Sequence, residues 1–179
     1  MGLLQSLLWP GQDDPCPATG LTPRDKAAVR ATWQLVRKDI TLNGEALLVM
    51  FFETHPEHQK LFAAFAGSAP ADLRGDKRLR AHANSVMYAV TSVVDNLDEP
   101  DVLVEMLKKL GASHRRHHVP QQGFVDLKGV ILRLLSEKLG GKFTPAARQG
   151  WGKALDVVNA VVFQGMEGQE EGEEASRSP

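Results

Sequence analysis

The stretch LRAHANSVMYAVTSVVDNLDEPDVLVEMLKKLGASH, residues 79–114, carries two histidines in two successive helical patterns. In the first, Leu79, His82, Val86, Ala89, Val90 and Val93 recur at three- and four-residue steps. In the second, Leu103, Met106, Leu107, Leu110 and His114 do the same. Such spacing lays side chains along one stripe of an α-helix. His82 and His114 therefore each face an apolar interior, where an imidazole needs a hydrogen-bond partner or a metal. A lone histidine on such a stripe is commonly a satisfied core residue. Two of them on facing helices can also hold something flat and iron-containing between them.

The same period continues on both sides of this stretch. Thr22-Pro23 is a helix cap followed by proline at the first helical position, and the helix it opens buries Val29, Trp33 and Val36. A second helix is expected over about residues 39–55, with Leu47, Leu48, Phe51 and Phe52 inward. Pro56 opens a short turn ending at Leu61-Phe62, and Gly67, Pro70 and Gly75 punctuate the segment after it. The His82 helix is expected over about residues 77–96, and Pro100 starts the His114 helix. Pro120 starts a helix that buries Phe124, Leu127, Ile131, Leu134 and Leu135 and stops at Gly140-Gly141. Thr144-Pro145 repeats the cap-plus-proline start, and the last helix buries Trp151, Leu155, Val158 and Val162. No strand alternation, hairpin or internal repeat interrupts the series, so the fold class is all-α.

Composition bounds the rest. A chain of 179 residues, 42% hydrophobic, fits one domain with a sizeable core. A net charge of −1 without a one-sign field argues against nucleic acid as a partner. Apolar runs fall far short of the ~18 residues of a membrane span. Cys16 is the one cysteine, so no internal disulfide forms and a reducing, cytoplasmic setting is expected. Residues 1–21, with Pro10, Pro15 and Pro17, read as an extension; residues 22–166 as the packed domain; residues 167–179 as a disordered acidic tail. The start, Met1-Gly2-Leu3-Leu4-Gln5-Ser6, fits the N-myristoylation pattern M-G-x-x-x-[ST] at Gly2. One such chain gives only weak membrane association without a second signal, and no basic residue precedes Arg24. The alternative is a flexible extension, or a short apolar helix folded back on the domain.

The run Phe52-Glu53-Thr54-His55-Pro56-Glu57-His58-Gln59-Lys60-Leu61-Phe62-Ala63-Ala64-Phe65 resembles the globin family, where such a segment leads into a short helix and a haem-stacking phenylalanine at the place of Phe62. Leu79-Arg80-Ala81-His82 with Val86 resembles the globin distal motif, and Leu110-Gly111-Ala112-Ser113-His114 the proximal one. Phe143-Thr144-Pro145 with Trp151 resembles the start of the last helix, most closely in neuroglobins and cytoglobins. The similarity covers about residues 22–166 with the motifs in order. It implies a globin fold of seven or eight helices around haem b, that is iron protoporphyrin IX, and reversible binding of dioxygen, carbon monoxide and nitric oxide.

The resemblance implies His114 as the axial iron ligand and His82 as the distal residue, either a hydrogen-bond donor to bound dioxygen or a second iron ligand. His117 and His118 rank below His114, because the helix is ending there; contact with a haem propionate suits them better, and Arg115 and Arg116 read as a solvated basic face. Val86 is expected to line the ligand space, Leu48 and Phe52 to close the pocket, Phe62 to pack on the haem plane, and Leu110 to line its proximal side. Gly44 and Ala83 are a matched pair of small residues at a close helix crossing. Leu48 and His82 stand where many nitric-oxide-detoxifying bacterial globins carry Tyr and Gln, and no flavin or nicotinamide fingerprint follows. Two function classes remain: a six-coordinate redox or sensor protein, acting with a reductase on nitrite, nitric oxide or peroxide, and a five-coordinate oxygen store or carrier.

Overall fold

The structure, a computed structural model, describes residues 14–168. The lipidation pattern at Gly2 and the acidic tail from residue 169 onward lie outside the described residues. Among the described residues the regular structure is entirely helical: α1 (Pro23–Val36), α2 (Ile40–Thr54), the short α3 (Pro56–Gln59), α4 (Lys77–Asp95), α5 (Pro100–Arg116), α6 (Gln121–Leu139) and α7 (Pro145–Glu167). Single 3₁₀ turns at Arg37–Asp39, Pro70–Leu73 and Gly140–Lys142 join them. No described helix is long and apolar enough to cross a membrane.

Local chemistry sets where the helices begin. Thr22 and Asp25 form a reciprocal capping box on α1, with bonds of 3.1 and 3.0 Å, and Pro23 follows the cap. Thr144 accepts from the Ala147 amide at the start of α7. Asp76 caps α4 by accepting from the amides of Arg78 and Leu79. The packed body begins slightly earlier than the sequence implies. A turn closed by the bond from the Cys16 amide to the Leu21 carbonyl folds Leu21 inward, where it is 1% exposed. Proline-rich spacing marks the extension but says nothing of how its last residues fold back.

The core places two threonines where only a satisfied hydroxyl is tolerable. The Trp33 indole donates to Thr91 at 3.1 Å and the Trp151 indole to Thr32 at 2.9 Å, while both hydroxyls donate to backbone carbonyls of their own helices. The two indoles lie 5.6 Å apart. This network ties α1 to α4 and α7 with its polar groups paired.

Two close crossings set the positions of α4 and α5. A Cβ at Gly44 on α2 would fall 2.8 Å from Met87 Cγ and 3.3 Å from Ala83 Cβ on α4, as the small-residue pair implies. The second crossing is tighter. A Cβ at Gly111 on α5 would overlap the Val162 carbonyl oxygen, and one at Gly165 on α7 would overlap the Lys108 carbonyl oxygen. Backbone meets backbone there, and the rigid partners leave no room for a side chain.

Gly165→Ala is expected to cost about 2–3 kcal/mol or more through overpacking. Gly152→Ala, on the same helix with nothing within 4 Å of the added Cβ, is expected to gain about 0.5–1 kcal/mol. Denaturant unfolding of the two variants should shift in opposite directions. A pH test addresses the α4 cap. The Arg78 guanidinium beside Asp76, helped by the Arg78 amide, holds that carboxyl at about 2 against an ordinary 3.8. A depressed carboxylate stabilises above its unfolded value and ceases to do so as pH falls through the folded one. The stability difference between wild type and Asp76→Ala should therefore be largest above pH 3.8 and shrink as pH falls through about 2.

Candidate functional site

α4 and α5 share an apolar cavity of about 150 Å³, with His82 and His114 both on its wall beside Val86, Leu110, Phe124 and Trp151. A smaller lobe of about 70 Å³, lined by Leu48, Phe62 and His58, opens from the same two histidines.

The imidazoles differ in how they are held. His114 Nδ1 lies 2.9 Å from the Leu110 carbonyl oxygen, one helical turn back. A carbonyl only accepts, so Nδ1 carries the proton and Nε2 presents its lone pair. Phe124 meets this ring edge-on at 5.0 Å. His82 makes no hydrogen bond among the described residues. Its neighbour is Phe62, edge-on at 4.9 Å. Burial, and then the charge of nearby His114, push the His82 pKa below its ordinary 6.5. A neutral imidazole is thus favoured there at neutral pH. Two nitrogen bases, one oriented and one without a hydrogen bond among the described residues, face the same apolar space. That arrangement suits an electrophile held between them, and the apolar walls suit a hydrophobic macrocycle around a metal.

The structure brings most of the expected residues to this cavity. Val86 borders both lobes, Leu110 the larger, Leu48 and Phe62 the smaller. Phe52 does not reach the wall: it is fully buried behind Phe62, with the rings 5.2 Å apart. The helical period gives Phe52 an inward direction but not its depth, and Phe62, arriving from the turn after α3, covers it. His117 and His118 lie exposed past the end of α5, and His118 takes a left-handed φ of 55° as the chain turns away. Arg116 and Tyr88 are exposed, and Arg115 is half-buried.

Two cavity residues escape a sequence reading. Phe124 sits on an ordinary apolar stripe, and nothing in that stripe marks it as the ring beside His114. His58 borders the smaller lobe while its Nε2 meets Asp126 Oδ2 at 2.7 Å. The one available signal is its place in His55-Pro56-Glu57-His58, a tight turn dense in ligating groups.

A family model described as Globin matches residues 45–162. A globin of Nerita albicilla is 31% identical over 142 residues, spanning 79% of this chain and 90% of the relative. Cytoglobin-2 of Danio rerio is 31% identical over 150 residues, 83% of this chain and 82% of the relative. Neuroglobin of Dissostichus mawsoni is 30% identical over 147 residues, 81% and 92% respectively. Among solved structures, a hexacoordinated heme protein from an anhydrobiotic tardigrade matches with a TM-score of 0.80, over 85% of this chain and 99% of that one, at 22% identity. At that identity the likeness is one of fold.

Proposed function

This chain belongs to the globin family, and on that premise we propose that it binds dioxygen, carbon monoxide and nitric oxide reversibly at haem, with His114 as proximal ligand and His82 as a distal ligand that yields to them. The observation that carries this reading is the His114 Nδ1–Leu110 carbonyl bond, in a cavity shared with an imidazole that has no hydrogen-bond partner among the described residues. Bound haem supplies an iron that takes a diatomic gas in an open coordination position.

The chain's own residues do the rest. The Leu110 carbonyl fixes the His114 tautomer and ring direction and makes Nε2 a stronger base, the usual work of a group behind a metal ligand. His82, held on α4, would compete with an incoming gas for the iron at a high effective concentration. An external gas binds with an affinity reduced to the fraction of time His82 stands aside. Once aside, its ring N–H remains within the pocket as a donor. Leu48, Phe62 and Val86 keep that side apolar, and Leu110 and Phe124 do so on the other. Cys16, the lone cysteine, belongs to no C-x-x-C-H motif, which supports haem b held without covalent attachment. The favoured role is redox or sensing, or chemistry on nitrite or nitric oxide, with electrons from a reductase. What supports this reading is that no hydrogen bond among the described residues holds His82 away from an iron, so its imidazole is free to reach one.

The deciding measurement is the visible spectrum of the ferrous protein without added gas. It should be low-spin and six-coordinate; a five-coordinate wild-type spectrum returns the protein to the oxygen-storage or transport class. His82→Leu should give a high-spin, five-coordinate form and speed carbon monoxide binding by about tenfold or more. His114→Ala should lose most of its haem, whereas His117→Ala and His118→Ala keep it with unchanged bands. Full haem retention and an unaltered spectrum in His114→Ala would refute the proximal assignment.

A further inference from the structure

We propose that His55, Glu57, His58 and Asp126 form a binding site for one divalent transition-metal ion of the zinc class, separate from the haem ligands. Their donor atoms (His55 Nδ1, a Glu57 oxygen, His58 Nε2 and an Asp126 oxygen) all lie within 4.8 Å of one another. His55 Nδ1 stands 3.6 Å from Asp126 Oδ2 and 3.7 Å from Glu57 Oε1. His58 Nε2 stands 3.9 Å from Glu57 Oε1 and 2.7 Å from Asp126 Oδ2. Zinc bonds of about 2.0–2.2 Å to nitrogen and oxygen place tetrahedral donors about 3.3–3.6 Å apart. Three of these edges need to close by only a few tenths of an ångström, and the His58–Asp126 hydrogen bond opens to admit the ion. Two imidazoles with two carboxylates suit zinc and its neighbours rather than calcium or magnesium, which take oxygen alone.

The backbone builds this corner. His55 ends α2, Pro56 starts α3, and the bond from the His58 amide to the His55 carbonyl at 3.1 Å brings the two histidines onto one turn. Asp126 projects from the second turn of α6. Its other oxygen accepts from Gln122 Nε2 at 2.8 Å, which aims Oδ2 at the cluster. Burial opposes the Asp126 charge, yet the hydrogen bonds from His58 and Gln122, with the charge of His55, hold its pKa below the ordinary value. The His58 ring lies flat against Phe51, with centroids 5.1 Å apart and a 5° interplanar angle. Its side chain is 7% exposed and that of Asp126 14%, whereas Glu57 is 59% exposed. The site has an oriented floor and an open mouth through which an ion arrives.

The test uses the full, haem-loaded chain, stripped of other metals and titrated with Zn²⁺ by calorimetry and by dialysis with metal analysis. One Zn²⁺ per chain should bind at micromolar concentration and raise the unfolding temperature, with no displacement of haem in the visible spectrum. His55→Gln and Glu57→Gln, at the open side, should keep the fold and weaken binding at least about tenfold. Asp126→Asn should abolish it, and the His117→Ala, His118→Ala double variant should leave it unchanged. A His82→Leu variant, which keeps His114 and this corner, should still bind Zn²⁺ although its visible spectrum changes, which separates the inference from the distal assignment. No binding to wild type, or binding as tight as wild type in His55→Gln or Asp126→Asn, overturns the proposal, as does loss of binding in the His117, His118 variant.

Discussion

Where Gly111 of α5 meets Gly165 of α7, backbone packs on backbone, and the position of His114 follows from that contact. His114 lies three positions after Gly111 on one rigid helix. A side chain at either glycine would lift α5 off α7 and carry the imidazole with it. The partner histidine is set in the same manner. His82 is the immediate neighbour of Ala83, and Ala83 is where α4 presses on Gly44 of α2. The cavity's depth is therefore set by two contacts outside it. Interiors packed at this density transmit displacement rather than absorb it, so glycines remote from the cavity act as part of its geometry.

Within that frame the imidazoles are unequal. His114 is pinned by the Leu110 carbonyl and braced by Phe124. His82 has an aromatic edge beside it and no hydrogen bond among the described residues, and its helix is tied down at the near end, by the Asp76 cap and by Arg80 pairing with the buried Glu45 of α2. In the proposed reading one nitrogen stays on the metal and the other leaves. A permanent ligand needs its tautomer and direction enforced; a leaving ligand needs no competing partner that captures it once released. The difference in hydrogen bonding matches that division of labour.

Helical period and capping chemistry made much of this legible. The stripes through His82 and His114, the Thr22 and Thr144 caps and the proline starts give every long helix and its inward face. Period gives direction, however, and not depth. It cannot distinguish Phe62 on the cavity wall from Phe52 behind it, nor single out Phe124 among the apolar residues of α6. Polar residues that the core admits, such as Thr32 and Thr91, become readable only once the indoles bonded to them are placed. His58 escapes for a different reason. It lies on a four-residue helix, too short to show a period, and its partner Asp126 is 68 positions away.

The metal corner and the haem cavity share one aromatic wall. His58 stacks on Phe51, Phe51 lies 5.7 Å from Phe52, Phe52 lies 5.2 Å from Phe62, and Phe62 meets His82 at 4.9 Å. Contact alone does not transmit a signal; coupling needs an element with two arrangements that both sites bias. Phe51 and Phe52 are buried and fixed. Phe62 is half-buried, comes from the turn after α3, and is the ring in edge contact with His82. An ion held between α3 and α6 would fix the start of the segment that carries Phe62. His58 and Phe62 both line the lobe that His82 and His114 share, so the corner and the distal histidine border one space as well as one chain of rings.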